Sequence, residues 1–181
     1  MLLSKCLPHL LIERTFELQN ERAAYKFGAT LAKSIPKAMR ASLRHSMQVH
    51  LVGNLGAGKT TLVRALLRAL GYKQRVRSPT YTLIEPYTIE NVDGKPLSIY
   101  HFDLYRFADP REWDDAGFRE YFDIGALCLI EWPQRAGSLL NMPDLKLNLV
   151  VQGEGRNLTA GAYSATGKKC LLDAHQTAEL S

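Results

Sequence analysis

Within VHLVGNLGAGKTTLVRALLRALG, Gly53, Gly58, Lys59 and Thr60 stand in the spacing G-x-x-x-x-G-K-T. Such a loop does phosphate chemistry: its glycines let backbone N–H groups converge on phosphate oxygens, and the helix that follows adds the positive end of its dipole. Lys59 is placed to neutralise the β- and γ-phosphates, and the Thr60 hydroxyl is placed to ligate Mg²⁺. Kinases, GTPase switches, transport ATPases and helper ATPases all carry this loop, so the motif alone leaves the use of the phosphate open.

A Mg-nucleotide site also needs carboxylates at the ends of strands beside the loop, to hold the metal and orient an attacking water. Asp103 ends the apolar run LSIYHFD and Glu131 ends ALCLIE, as expected at the carboxyl edge of central strands. Either acid could instead be a strand-end residue paired with Arg106 or Arg135. In SPTYTLIEPY, Thr80 or Thr82 could reach a γ-phosphate or the metal, although threonine also occurs in strands for its β propensity. The five histidines form no spaced pair, and Cys6, Cys128 and Cys170 form neither a C-x-x-C nor a Cys/His cluster. Zinc and disulfide frameworks are therefore not indicated, and a reducing cytoplasm fits best.

The elements that must position these groups read as follows. Residues 10–18 suit a half-buried strand, and Asn20 can cap a helix carrying Ala24, Phe27, Leu31 and Ile35 on one face until Pro36 ends it. Residues 47–52 read as a strand and 60–70 as a helix with Leu62, Leu66, Ala69 and Leu70 inward, closed by Gly71. Two strands, at 78–87 and 97–102, flank a turn at 91–96, and Asp109 with Pro110 opens a helix burying Trp113, Phe118, Tyr121 and Phe122. Residues 126–130 form an apolar strand, and from Leu145 onward the alternation suits antiparallel edge strands appended to a parallel core. The expected fold class is α/β, with helices flanking a mixed sheet.

Length and composition bound the rest. A chain of 181 residues with 46% hydrophobic and 23% charged residues fits a single soluble globular domain over 1–181, with no apolar run long enough to span a membrane and no cleavable leader. The formal charge of +5 permits contact with an acidic partner or nucleic acid. Arg64, Arg68, Lys73, Arg75 and Arg77 gather in one stretch, read first as a solvated helix face and loop beside the phosphate site.

No N-K-x-D stretch is present to read guanine, and no L-S-G-G-Q stretch marks a transport ATPase. A small-molecule kinase, with R-F-A-D-P-R at 106–111 as its lid, and a small hydrolase serving a partner both remain. In order and spacing, GNLGAGKTT, SPTYTLIEPY, HFDLYR, GFREYF and LIEWP closely resemble the bacterial TsaE (formerly YjeE) family, over residues 16–172. That resemblance implies a P-loop NTPase-like fold and slow hydrolysis of ATP with Mg²⁺. It also implies service to the TsaD and TsaB subunits, which form N6-threonylcarbamoyladenosine next to the anticodon of tRNA, any tRNA contact by this chain being indirect.

By position, the resemblance assigns Gly53, Gly56, Ala57, Gly58, Lys59, Thr60 and Thr61 to the phosphate cradle, and Thr60 and Glu131 to Mg²⁺. It makes Asp103 the candidate water-orienting or catalytic acid, lines the nucleotide or partner face with Trp132, and brings Arg156 to a phosphate. Asn54 departs from the family's usual Asp and Ala24 from its Thr near the base, while 36–46 is longer and more basic than expected. A further alternative is a nucleotide-gated binding module in which hydrolysis is incidental.

Overall fold

The computed structural model describes residues 9–40, 46–79, 81–92, 94–115 and 117–179. Thr80 and Cys6 lie outside the described residues, as do 41–45 of the basic segment after the first helix. Among the described residues seven strands form one sheet in the order β1-β7-β6-β2-β5-β4-β3. The strands are β1 Ile12–Leu18, β2 Met47–Val52, β3 Ile84–Val92, β4 Lys95–Asp103, β5 Leu127–Glu131, β6 Leu145–Gln152 and β7 Gly155–Ala162. β2, β4, β5 and β6 run parallel, while β3, β7 and β1 are joined antiparallel at the two sides.

One face of the sheet carries helices α1 Glu21–Arg40, α2 Lys59–Ala69 and α4 Ala165–Glu179. Period-two alternation sends Val49 and Leu51 of β2, Leu127 and Leu129 of β5, and Leu145, Leu147 and Leu149 of β6 into this layer, where they meet Leu31, Ile35, Leu62 and Leu66. The other face, over β4 and β5, buries Phe102, Cys128 and Ile130 against Trp113, Phe118 and Phe107. Trp113 stacks on Phe122 at 5.8 Å and meets Phe118 edge-on at 5.1 Å, so this smaller cluster is built from aromatic area.

The first helix opens as expected, with Asn20 Oδ1 accepting the Ala23 N–H at 3.0 Å. It does not end at Pro36. The ring deletes one N–H from the ladder, but Ala38 beyond it is fully buried and Arg40 Nε donates back to the Pro36 carbonyl, so burial carries the helix one turn further. In α2 the inward residues are Leu62, Val63, Ala65, Leu66 and Leu67, with Ala69 exposed, because this helix lies between the sheet and α1 and is covered on two sides. Gly71, at φ 102°, closes it, with the Tyr72 N–H reaching the Leu67 carbonyl.

Three further expectations are corrected. Strand β3 begins only at Ile84; 81–83 form a turn in which the Leu83 N–H reaches the Pro79 carbonyl at 2.9 Å. The aromatic segment is two pieces, α3 Pro110–Asp115 and a 3₁₀ turn Phe118–Phe122, separated by Gly117 in the left-handed region. Asp109 does cap the first piece, accepting the Arg111 N–H at 2.9 Å. The tail contributes β6 and β7, antiparallel to each other as expected, but neither is an edge strand: β6 pairs parallel with β2, and β7 lies between β6 and β1. The chain then forms α4, whose Cys170, Leu171 and Ala174 are buried against the core. Apolar residues there recur at a helical rather than a strand spacing. Among the described residues no helix is long and apolar enough to cross a membrane.

His50 occupies β2 on the face opposite Val49 and Leu51, and its Nε2 is buried with no hydrogen-bond partner among the described residues. Burial, with the Lys146 ammonium as a smaller cause, lowers its pKa from 6.5 to about 4. Above pH 6.5 the imidazole is neutral folded and unfolded. Between 6.5 and about 4 the unfolded chain takes the proton and the folded chain does not, so stability falls as pH falls. Urea unfolding should show this residue removing about 2 kcal/mol between pH 7 and pH 5. His50→Gln should lose correspondingly less over that interval; an unchanged pH dependence in the variant would contradict the burial argument.

Candidate functional site at the carboxyl edge of the parallel strands

The phosphate loop leaves the carboxyl end of β2 and enters α2 at Gly58, which sits at φ 100° and ψ 17°. Gly53 is required by close approach: at φ 151°, a Cβ there would lie 2.5 Å from the Leu149 carbonyl of β6. The Ala57 N–H closes the loop on the Asn54 carbonyl at 3.0 Å. Position 54 thus contributes backbone to the loop's closure.

Lys59 folds back over this loop. Its Nζ donates to the Gly53 and Asn54 carbonyls at 2.8 and 3.0 Å and lies 4.0 Å from the centre of the Trp132 ring. Burial pushes the Lys59 ammonium below its ordinary pKa, while the Glu131 and Asp103 carboxylates oppose that shift.

The two acids meet through strand register. β4 and β5 run parallel with Asp103 opposite Glu131, and Leu51 of β2 is also in register with Glu131. Glu131 is 2% exposed, and its Oε1 accepts the Thr60 hydroxyl at 2.8 Å and contacts His101 Nε2 at 2.9 Å. Its partners are therefore the loop threonine and a fully buried histidine, not Arg106 or Arg135. Asp103 Oδ1 accepts the Tyr105 N–H at 3.1 Å, and the Asp103 N–H donates to the Leu83 carbonyl, tying the acid to the turn before β3.

A cavity of about 340 Å³ opens over these groups. Gly56, Gly58, Lys59, Thr60, Thr61, Asp103, Glu131 and Trp132 line it, eight of the residues singled out from the sequence. Gly53 lies beneath the cradle against β6, and Ala57 is buried with its carbonyl turned towards β7. Arg156 of β7 reaches the loop from the far side: Nε donates to the Ala57 carbonyl at 2.9 Å and the guanidinium contacts the Gly56 carbonyl at 3.3 Å. Gly155 permits this, since a Cβ there would lie 2.6 Å from the Leu18 carbonyl of β1. Arg156 therefore braces the cradle and does not line the cavity. Thr82 lies in the exposed turn and does not line it either.

Residues not assigned from the sequence complete the site. Ser78 and Tyr105 line the cavity beside Arg106, which the sequence offered only as an ion-pair partner or a lid residue, and His101 holds Glu131 from below. Tyr105 and Arg106 belong to HFDLYR and were legible as neighbours of Asp103; His101 carried no signal beyond being a histidine in an apolar run. Arg111, the other arginine of the expected lid, is turned out into solvent and paired with Asp109 at 2.7 Å.

Trp132 and Leu83 adopt left-handed backbone conformations, at φ 57° and 62°. Bulky residues there cost about 1–3 kcal/mol each, and such strain concentrates at functional sites. One directly follows Glu131 and the other is bonded to the Asp103 backbone, so both strained positions hold the acids at the cavity mouth. Tyr105 packs on Trp132 at 4.9 Å, and the Arg106 guanidinium lies 4.5 Å from the Tyr81 ring, which is itself 82% exposed.

These geometric features coincide with what the chain resembles. The family model described as threonylcarbamoyl adenosine biosynthesis protein TsaE matches residues 18–158. The tRNA threonylcarbamoyladenosine biosynthesis protein TsaE of Haemophilus influenzae is 38% identical over 154 residues, covering 85% of this chain and 92% of that protein. Its counterpart in Bacillus subtilis is 35% identical over 137 residues, covering 76% and 81%. The crystal structure of Bacillus subtilis YdiB superposes with a TM-score of 0.68 at 24% identity, covering 93% of this chain and 98% of that one, which supports the fold. With the matched residues spanning the loop, both acids, Trp132 and Arg156, the chain belongs to the TsaE family.

Proposed function

We propose that the chain is a Mg-dependent ATPase that binds and slowly hydrolyses ATP to support the TsaD and TsaB transferase in forming N6-threonylcarbamoyladenosine in tRNA. The observation that carries this reading is the Thr60–Glu131 hydrogen bond at the mouth of the glycine cradle, with Asp103 in register beside it. The residues present suit the cofactor. A threonine hydroxyl and a carboxylate already in contact are hard oxygen donors of the kind Mg²⁺ takes, and the cradle above them offers backbone N–H groups and one ammonium. Mg²⁺ held by Thr60 and Glu131 would supply charge neutralisation for the phosphates.

The chain's own groups divide the remaining work. Gly56, Gly58 and Thr61 present backbone to the phosphates, and Lys59, released from the Gly53 and Asn54 carbonyls, moves its charge onto them. Arg156 keeps the loop's carbonyls turned away from the anion. Asp103 orients a water for in-line attack on the γ-phosphoryl group: the bond from that oxygen to phosphorus forms as the bond to ADP breaks, and the proton passes to Asp103 and on to solvent. His101 fixes the Glu131 carboxylate. Trp132 and Tyr105, at the rim, form the face a docked subunit would cover to exclude water, so hydrolysis is slow until a partner completes the site. Transfer of the threonylcarbamoyl group is assigned to the partner, the 340 Å³ cavity being lined chiefly by groups suited to phosphate and Mg²⁺.

The roles separate by assay. Lys59→Ala should weaken Mg-ATP binding about 100-fold by calorimetry, the equivalent of losing about 3 kcal/mol of charge-assisted hydrogen bonding. Affinity equal to the parent would remove Lys59 from the site. Glu131→Gln should raise the Mg²⁺ requirement, whereas Asp103→Asn should keep ATP affinity and lose turnover by about 100-fold or more, so undiminished phosphate release by the latter contradicts its role. Purified TsaB and TsaD should accelerate ATP hydrolysis by the chain, and Trp132→Ala should diminish that stimulation more than it diminishes nucleotide affinity. Equal rates with and without the pair, or phosphorylation of a small acceptor, would defeat the partner-serving reading.

A further inference from the structure

A second cavity, of about 760 Å³, adjoins the first and shares Ser78 with it. Its walls carry Arg64 and Arg68, one turn apart on α2, and Arg75 and Arg77 on the loop that follows. Tyr25 of α1 supplies an aromatic wall and is 38% exposed. Among the described residues no carboxylate lines this cavity and none of its four arginines is ion-paired.

The loop is anchored. Tyr87 Oη donates to the Arg77 carbonyl at 2.9 Å and accepts the Arg77 N–H at 3.2 Å, the Tyr72 ring packs edge-on against Tyr87 at 4.9 Å, and Val76 is buried. Arg68 is steadied by its bond to the Tyr72 carbonyl at 2.9 Å. The chain thus spends buried aromatic packing on holding a segment whose side chains repel one another, an arrangement that folding alone does not require and that an anion would relieve.

We propose that this arginine-walled cavity binds the sugar-phosphate backbone of RNA, placing a tRNA-facing surface directly beside the nucleotide cavity; the choice of tRNA rests on the function proposed above. Guanidinium forks suit phosphate oxygens bidentately, and the exposed Tyr25 ring offers a stacking surface. Guanidinia drawn from two elements exceed what one phosphate needs. The lining lacks the apolar centre of a protein–protein interface, Val76 being buried beneath it.

The test uses the full chain, a fluorescein-labelled unmodified tRNA transcript, and anisotropy titrations across a salt series of roughly 50–200 mM. Arg75→Gln/Arg77→Gln, on an exposed stretch of loop, should weaken binding about tenfold or more. It should also reduce the slope of log affinity against log salt by about 1.5, near 0.7–0.9 per lost phosphate contact. Arg14→Gln, exposed on β1, should leave both unchanged. Labelled ATP-analogue affinity should stay within about twofold of the parent in all variants, so the result stands whether or not the chain proves to be a hydrolase. Parental slope and affinity in the double variant would overturn the proposal, as would loss of TsaB–TsaD capture with tRNA binding intact, which would assign the surface to a protein.

Discussion

The parallel register of β2, β5 and β4 is the constraint on which the site depends. Three chain segments distant in sequence end at one height: β2 delivers the loop, β5 delivers Glu131 and β4 delivers Asp103. A slip of one residue would turn either carboxylate to the opposite face, into the aromatic cluster, where an ionised acid has no partner. The register is held by the apolar residues preceding each acid. Ile99, Leu127 and Leu129 pack towards α1 and α2, while Phe102, Cys128 and Ile130 pack the other way.

Around that edge the energetics are a balance of buried charge. Lys59, Asp103 and Glu131 are each 6% exposed or less, a desolvation that costs several kcal/mol per isolated ion. It is offset by proximity, and by hydrogen bonds from Thr60 and the Tyr105 backbone and to the Gly53 and Asn54 carbonyls. The contacts Lys59 makes within the loop are ones a phosphate can replace, since the ammonium donates equally well to phosphate oxygens. The groups of the site are thus already in place around the cavity, with one long side chain, Lys59, lying between the loop carbonyls and the Trp132 ring.

The strained positions belong to the same economy of geometry. Trp132 turns the chain immediately after Glu131, bringing its ring over Lys59 rather than into the sheet, and Leu83 turns the chain where its carbonyl meets the Asp103 N–H. Both turns place segments with exposed aromatic or basic groups, Tyr81, Tyr105 and Arg106, around the cavity mouth. A partner docking there would act on the acids through the backbone they share with the rim.

The short-range pattern behind the proposed chemistry was legible in the chain alone. The glycine spacing, Lys59 and Thr60 announce a phosphate loop because few other arrangements of those residue types do mechanical work, and apolar runs ending in Asp103 and Glu131 announce strand ends. Local punctuation was legible where it acts locally, as at Asn20, Gly71 and Asp109, and misleading where packing overrode it, as at Pro36, which is itself buried with Ile35 and Ala38 in a helix that continues to Arg40. The α4 helix was lost among turn residues because its signal is weak until a core is there to receive Cys170, Leu171 and Ala174. Only the tertiary structure decided that Glu131 answers to Thr60 and His101, that Arg156 braces the loop from behind, and that Arg64, Arg68, Arg75 and Arg77 face one cavity. The first two are contacts between segments far apart in sequence, and the third depends on how Tyr87 anchors the loop after α2; no local propensity encodes which side chains are brought face to face.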